Sequence, residues 1–217
     1  MVETKTNTMK YEFDSVKEAL EDFAANKFVI VMDNEDRENE GDLIIAAEKI
    51  TTKQMAFLIR YSSGYICAPT TGERLDELQL PLMVERNTEL MRTAYTVSCD
   101  YAHGTTTGIS AHDRALTCRK LADPTSRPED FMRPGHILPL RSVPNGTFER
   151  FGHTEAGVDL CKLAGVAPVA CIGEIIKEDD DEGDMARRDD CFAFAKKHNI
   201  KMITIQDIIA YRKLTTA

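Results

Sequence analysis

No pair of the six cysteines (Cys67, Cys99, Cys118, Cys161, Cys171 and Cys191) is spaced C-x-x-C. Zinc ribbons and thioredoxin-type redox motifs are therefore unsupported. No apolar run approaches the ~18 residues needed to span a membrane. The opening stretch MVETKTNTMKYEF has no apolar segment of the kind that marks a secretory signal. Positive charge is also scarce: 27 Lys and Arg stand against 36 Asp and Glu, a formal net charge of -9. That balance argues against nucleic acid or an anionic membrane held by bulk charge. Internal repeats and low-complexity blocks are missing too. These absences predict a cytoplasmic protein with reduced thiols, each cysteine serving as a small buried hydrophobe.

A chain of 217 residues is long enough to bury a sizeable core without covalent staples. Residues 1–10 are polar and are expected to form a loose, flexible arm. The pattern over 11–217 predicts a single domain. Helices are expected at Ser15–Lys27, with Ser15 as N-cap, and at Thr51–Tyr61, Ser110–Ala122, Thr154–Ala164, Met185–His198 and Ile205–Leu214. A short helix is expected in GERLDELQL. Short β-branched or apolar runs predict strands at Phe28–Asp33, Asp42–Glu48, Ala94–Tyr101, His136–Val143, Pro168–Ile176 and Lys201–Ile205, and in GYICAPT. The first two strands are consecutive and the order is not a clean βαβ repeat. The expected fold is α+β, a mixed β-sheet covered by helices.

Asp33–Asp42 carries six acidic residues in ten, with Arg37 among them, before the chain turns apolar. Such a stretch is either a solvated hairpin loop or a site for a hard divalent cation. Mg²⁺ takes oxygen ligands, and usually only one or two carboxylates besides water and substrate. Gly41 suits a tight turn. In RFGHTEAGVDL, His153 and Thr154 open an expected helix. Its N–H groups and dipole favour an anion, with Arg150 and Thr154 as added donors; a plain Thr cap beside an exposed histidine is the simpler alternative. His153-Thr154-Glu155 also matches half of a zinc-deaminase signature, but the required P-C-x-x-C is absent. In HGTTTGISAHDR, Ser110 and Asp113 have capping-box spacing, and the loop Thr105–Gly108 is small enough to approach a phosphate. His136 follows Pro-Gly at an expected strand start, where a histidine can act as acid or base or be merely hydrogen-bonded. Glu174 interrupts an apolar run; facing inward its pKa should rise, facing outward it means little. EDDDEGDM misplaces the acidic positions of an EF-hand and reads as a solvated turn.

Together DRENEGDLIIAAE, YSSGYICAPT, TTTGISAHDRA, RPGHILPL, RFGHTEAGVDL and MARRDDCFAFAKKHNIKMITIQDIIAYR resemble the 3,4-dihydroxy-2-butanone 4-phosphate synthase family, in its monofunctional form without the cyclohydrolase domain. The resemblance spans nearly the whole chain. It implies a Mg²⁺-dependent lyase of riboflavin biosynthesis. D-ribulose 5-phosphate would give 3,4-dihydroxy-2-butanone 4-phosphate and formate, with Mn²⁺ able to substitute, two ions per site and no organic cofactor. It implies Glu38 and His153 as metal ligands, Arg37 and Asp42 on the sugar, and Arg150, Gly152, Thr154 and Thr107 on substrate and its phosphate. His136 and Glu174 would be essential for catalysis, with Cys67 lining the pocket. It also implies a homodimer with active sites at the subunit interface. The chemistry needs a proton removed beside a carbonyl, so a charge-stabilising Lewis acid and several acid/base groups are expected. Asp42, His136 and Glu174 are the candidates for the latter. A metal-assisted hydrolase and a non-catalytic sugar-phosphate binder are the alternatives. The presence of both metal-binding and acid/base groups argues against the binder.

Overall fold

The computed structural model describes residues 12–178, 180 and 182–215. The arm expected over residues 1–10 lies outside them. Seven strands form one mixed sheet: β1 (Val29–Met32), β2 (Gly41–Ala46), β3 (Cys67–Thr70), β4 (Cys99–Tyr101), β5 (Phe131–Arg141), β6 (Ala170–Glu174) and β7 (Lys201–Thr204). Their order across the sheet is β4-β5-β3-β6-β2-β1-β7. β1–β7 and β3–β5 are parallel; the remaining pairs are antiparallel. The helices are α1 (Val16–Ala24), α2 (Thr52–Tyr61), α3 (Gly72–Glu77), α4 (Ala111–Ala122), α5 (His153–Leu163), α6 (Arg188–His198) and α7 (Ile205–Thr215). Among the described residues, no helix is long and apolar enough to cross a membrane.

The central strands are buried on both faces, and the side-chain period of two sorts each strand between two cores. Ile30, Met32, Leu43, Ile45 and Cys171 join Met55, Leu58, Leu121 and Phe194 on one side. Val29, Val31, Ile44, Ala170 and Ile172 join Leu20, Phe23, Leu160 and Ile208 on the other. All six cysteines are free and buried, filling space as expected. Caps also behave as read: the Ser15 hydroxyl accepts from the Glu18 amide, and Thr51 with Gln54 makes a full capping box.

The structure corrects several expectations. Only Cys99–Tyr101 of the strand expected over Ala94–Tyr101 is continuous; Tyr95 and Thr96 make isolated bridges to Leu140 and Leu82. β5 begins at Phe131, so His136 lies inside a strand and does not open one. Gly135 packs against the Cys99 backbone so closely that a Cβ would collide with it, beside a register shift at Cys99/Asp100. The β1–β2 hairpin forms with Met32 opposite Gly41, but Gly41 is not its turn residue. The left-handed position is Asn39, at φ 54°. Gly41 is needed for close packing instead, since a Cβ would stand 2.7 Å from both Cys191 Sγ and Met32 Sδ. In the acidic turn after β6, Asp180 accepts from the Asp184 amide and Gly183 has φ 75°.

Candidate active site

Period two places Asp42 of β2 on the same face as Ile44, and Glu174 of β6 on the same face as Ile172. The two carboxylates are direct cross-strand partners. Like charges so placed repel, and Asp42 is only 2% exposed, with Oδ1 lacking any hydrogen-bond partner. Burial, then Glu174, Glu38 and Glu40, hold the Asp42 carboxyl well above its ordinary range. Glu174 thus faces inward, onto a cleft of about 240 Å³. Cys67 shares the floor, and burial pushes its thiol far up, so it stays protonated.

One wall is the 33–40 loop, organised by a buried carboxylate. Asp33 Oδ2 accepts from Arg37 Nη1 (2.9 Å) and the Glu38 amide (3.0 Å), and Oδ1 accepts from the Glu40 amide (2.9 Å). Arg37 also pairs with Glu38. At the start of α6, the N-cap residue Arg187 donates to the Glu38 and Asn39 carbonyls and Arg188 pairs with Glu35. The crowded negative charge is therefore held from behind by guanidinium groups, while Glu38 and Arg37 line the cleft.

The opposite wall is the start of α5, whose N-cap is Gly152 and has no side-chain cap. Thr154 and Arg150 line the cleft beside it. His153 is buried, with Nε2 3.1 Å from the Val31 carbonyl oxygen. A carbonyl only accepts, so Nε2 carries the proton and the Nδ1 lone pair stays available. Nδ1 lies 3.7 Å from Asp42 Oδ1 and 3.8 Å from Glu38 Oε2. Burial lowers the His153 pKa, against the raising pull of Asp33 and Glu38. That shift favours the neutral imidazole, the form that ligates metals.

Three sequence candidates do not line this cleft: Gly152, which adjoins it as the N-cap of α5, and His136 and Thr107. His136 Nδ1 lies 2.6 Å from Asp100 Oδ2, and its amide donates to Asp100 Oδ1 at 2.8 Å. Thr107 is exposed on the neighbouring loop. Asp113 does more than occupy a capping position. Its carboxylate accepts from Thr106 N, Thr106 Oγ1 and Gly108 N, which shapes that loop against the His136–Asp100 pair. Gly108 has φ 90°, and a Cβ there would collide with Asp100 Oδ2 and reach 2.6 Å from His136 Nδ1.

The model of 3,4-dihydroxy-2-butanone 4-phosphate synthases matches residues 17–211. The chain belongs to this family. A synthase of that name from Schizosaccharomyces pombe is 61% identical over 200 residues, covering 92% of this chain and 97% of the relative. The Saccharomyces cerevisiae synthase is 56% identical, covering 93% and 99%. A crystal structure of a 3,4-dihydroxy-2-butanone 4-phosphate synthase in complex with two magnesium ions superposes with a TM-score of 0.91 at 52% identity, covering 94% of this chain and 99% of that one.

As a chain of the synthase family it also has cleft residues that sequence reading missed: Tyr65, Glu89, Thr93 and Tyr95. Tyr65 and Tyr95 stand in short expected strands, where nothing set them apart from other aromatics, and Glu89 and Thr93 come from a segment with no regular periodicity. Asp33 and Asp100 were likewise unmarked in their supporting roles, because a carboxylate that organises backbone amides looks in sequence like any other acidic residue. Among the described residues, no three His, Cys, Asp or Glu side chains are gathered in metal-binding geometry. Glu38 and the Nδ1 of His153 do converge beside the unpartnered Asp42 oxygen. That donor set fits a hard ion taking few protein ligands and completing its shell with water and substrate oxygens.

Proposed function

We propose that this chain converts D-ribulose 5-phosphate to 3,4-dihydroxy-2-butanone 4-phosphate and formate in riboflavin biosynthesis. It would act in the cytoplasm as a homodimer using Mg²⁺, two ions per site, with Mn²⁺ able to replace it and no organic cofactor. The observation that carries this reading is the convergence of Glu38 and His153 Nδ1 from opposite walls onto the Asp42–Glu174 carboxylate pair. The magnesium-bound relative supports the choice of metal. Glu38 and His153 would hold the metal, which supplies Lewis-acid polarisation of the sugar's oxygens when bound.

The chain's own groups divide the remaining work. Arg150, Thr154 and the open amides after Gly152 hold the phosphate, as helix N-termini do. Arg37 and Asp42 orient the sugar hydroxyls, and Cys67 lines the pocket as a neutral thiol. Asp42, whose pKa is raised by burial and by the neighbouring carboxylates, holds a proton more readily than an ordinary carboxylate, as a general acid or base needs. Glu174 stands opposite it as the second acid/base group. His136 with its Asp100 partner, and Thr107 on the adjoining loop, serve the cleft of the second subunit, which accounts for their lying outside the cleft of their own chain. Incubation with ribulose 5-phosphate and Mg²⁺, with and without EDTA, followed by formate detection tests the reading. Absence of EDTA-sensitive formate would refute it.

A further inference from the structure

Glu155 lies one position beyond Thr154 in the first turn of α5 and is 1% exposed. A buried carboxylate beside a helix start that is to receive an anion opposes that anion unless it serves another purpose. Its contacts point to one. Oε2 accepts from Arg150 Nη1 at 2.6 Å, and Oε1 accepts from the Val143 amide at 3.3 Å. The carboxylate is thus fixed through both oxygens. The other end of the guanidinium is fixed too: Nη2 donates to the Met91 carbonyl (3.2 Å) and to Thr93 Oγ1 (3.1 Å). These contacts engage three of the five donors of a guanidinium and leave two for an anionic ligand. The ion pair also fills a defined space. A Cβ on Gly152 would collide with Arg150 Nη1 and stand 3.0 Å from Glu155 Oε2.

We propose that Glu155 is the positioning residue of Arg150, and that position 152 is glycine because the Arg150–Glu155 pair lies over it. Glu155 touches no substrate; it sets the direction in which the remaining Arg150 donors point. This rests on the reading of Arg150 as a phosphate ligand. Paired, charge-assisted contacts of this kind give an arginine its geometric selectivity.

The test is steady-state formate release by Arg150→Met, Glu155→Gln, the double variant and Gly152→Ala, with inhibition by inorganic phosphate measured in parallel. Arg150→Met should raise both KM for the sugar phosphate and Ki for phosphate. Glu155→Gln should raise them about tenfold, the size of one charge-assisted hydrogen bond, with kcat nearly unchanged. In the Arg150→Met background Glu155→Gln should change neither further, since the two act as a unit. Gly152→Ala should reproduce the rise by displacing the guanidinium while leaving the Glu155 charge intact. Unchanged constants in Arg150→Met would refute the phosphate reading itself. A large effect of Arg150→Met with none from Glu155→Gln, or a Glu155→Gln effect that persists in full without Arg150, would overturn the positioning role alone. Should Glu155→Gln fail to fold by circular dichroism, Gly152→Ala decides, and unchanged constants there would overturn the proposal.

Discussion

Replacing Asp42 by asparagine should stabilise the protein while abolishing its activity. The Asp42 side chain is buried, its Oδ1 has no hydrogen-bond partner, and Glu174, Glu38 and Glu40 all raise its pKa beyond the effect of burial. Asn keeps the shape, removes the charge and adds an amide able to donate to neighbouring carboxylates. Relieving one uncompensated buried polar group is worth about 1–3 kcal/mol. For a domain of this size that corresponds to a rise in Tm of roughly 2–12 °C. The pH dependence follows from the direction of the shift. The folded pKa lies above the usual 3.8, so the native state binds the extra proton in the window between the two values. Stability contributed by that proton is full below the unfolded pKa and is lost as pH rises through the folded one. The gap between Asp42→Asn and the parent should therefore be small near about pH 4 and widen with rising pH. Thermal unfolding in EDTA across that range measures it. Saturating Mg²⁺ should narrow the gap, because binding to the native parent raises its Tm. If Asp42→Asn melts below the parent in EDTA at neutral pH, Asp42 is not an uncompensated charge and the reasoning fails.

Glu38→Gln and His153→Ala should each lose formate release and Mn²⁺ binding followed by paramagnetic resonance, while retaining their circular dichroism; normal Mn²⁺ binding in either would move the metal elsewhere. Mixing inactive Glu38→Gln with inactive His136→Ala chains under exchange conditions should restore activity to about a quarter of the parent's. Half the dimers of such a twofold assembly are mixed, and each mixed dimer has one intact site. No recovery would mean that both residues serve the site of the same chain. Gly108→Ala should destabilise the protein by about 1 kcal/mol or more through its positive φ, and it should reduce kcat by pushing the loop off the His136–Asp100 pair. Unchanged turnover there would separate that loop from catalysis.

Much of the architecture was legible because the central strands are short β-branched runs and the helices carry recognisable caps at Ser15, Thr51 and Ser110. The mixed sheet was readable from the hairpin followed by alternating elements. What was not legible depends on close approach rather than periodicity. Gly41 reads as a turn residue in sequence, and it turns out, like Gly135, to be a strand position where a side chain would have no room. Charge alone could not separate Glu38 from Glu35 or Glu40; only the opposing wall of α5, more than a hundred residues away, singles it out. Glu174 was ambiguous until the register with Asp42 fixed the face it occupies. Asp33, Asp100 and Glu155 stayed hidden because their work is done on neighbours, and a single sequence does not reveal neighbours distant along the chain.

The two histidines differ in how their second nitrogen or backbone is restrained, and this bears on mutational robustness. His153 is oriented by the Val31 carbonyl, a backbone atom that every residue type at position 31 would still supply. Side-chain changes there can loosen the fit of β1 but cannot delete the contact. His136 is oriented by the side chain of Asp100, which one nucleotide change can remove. Random mutagenesis should accordingly find inactive variants at position 100 far more readily than at position 31.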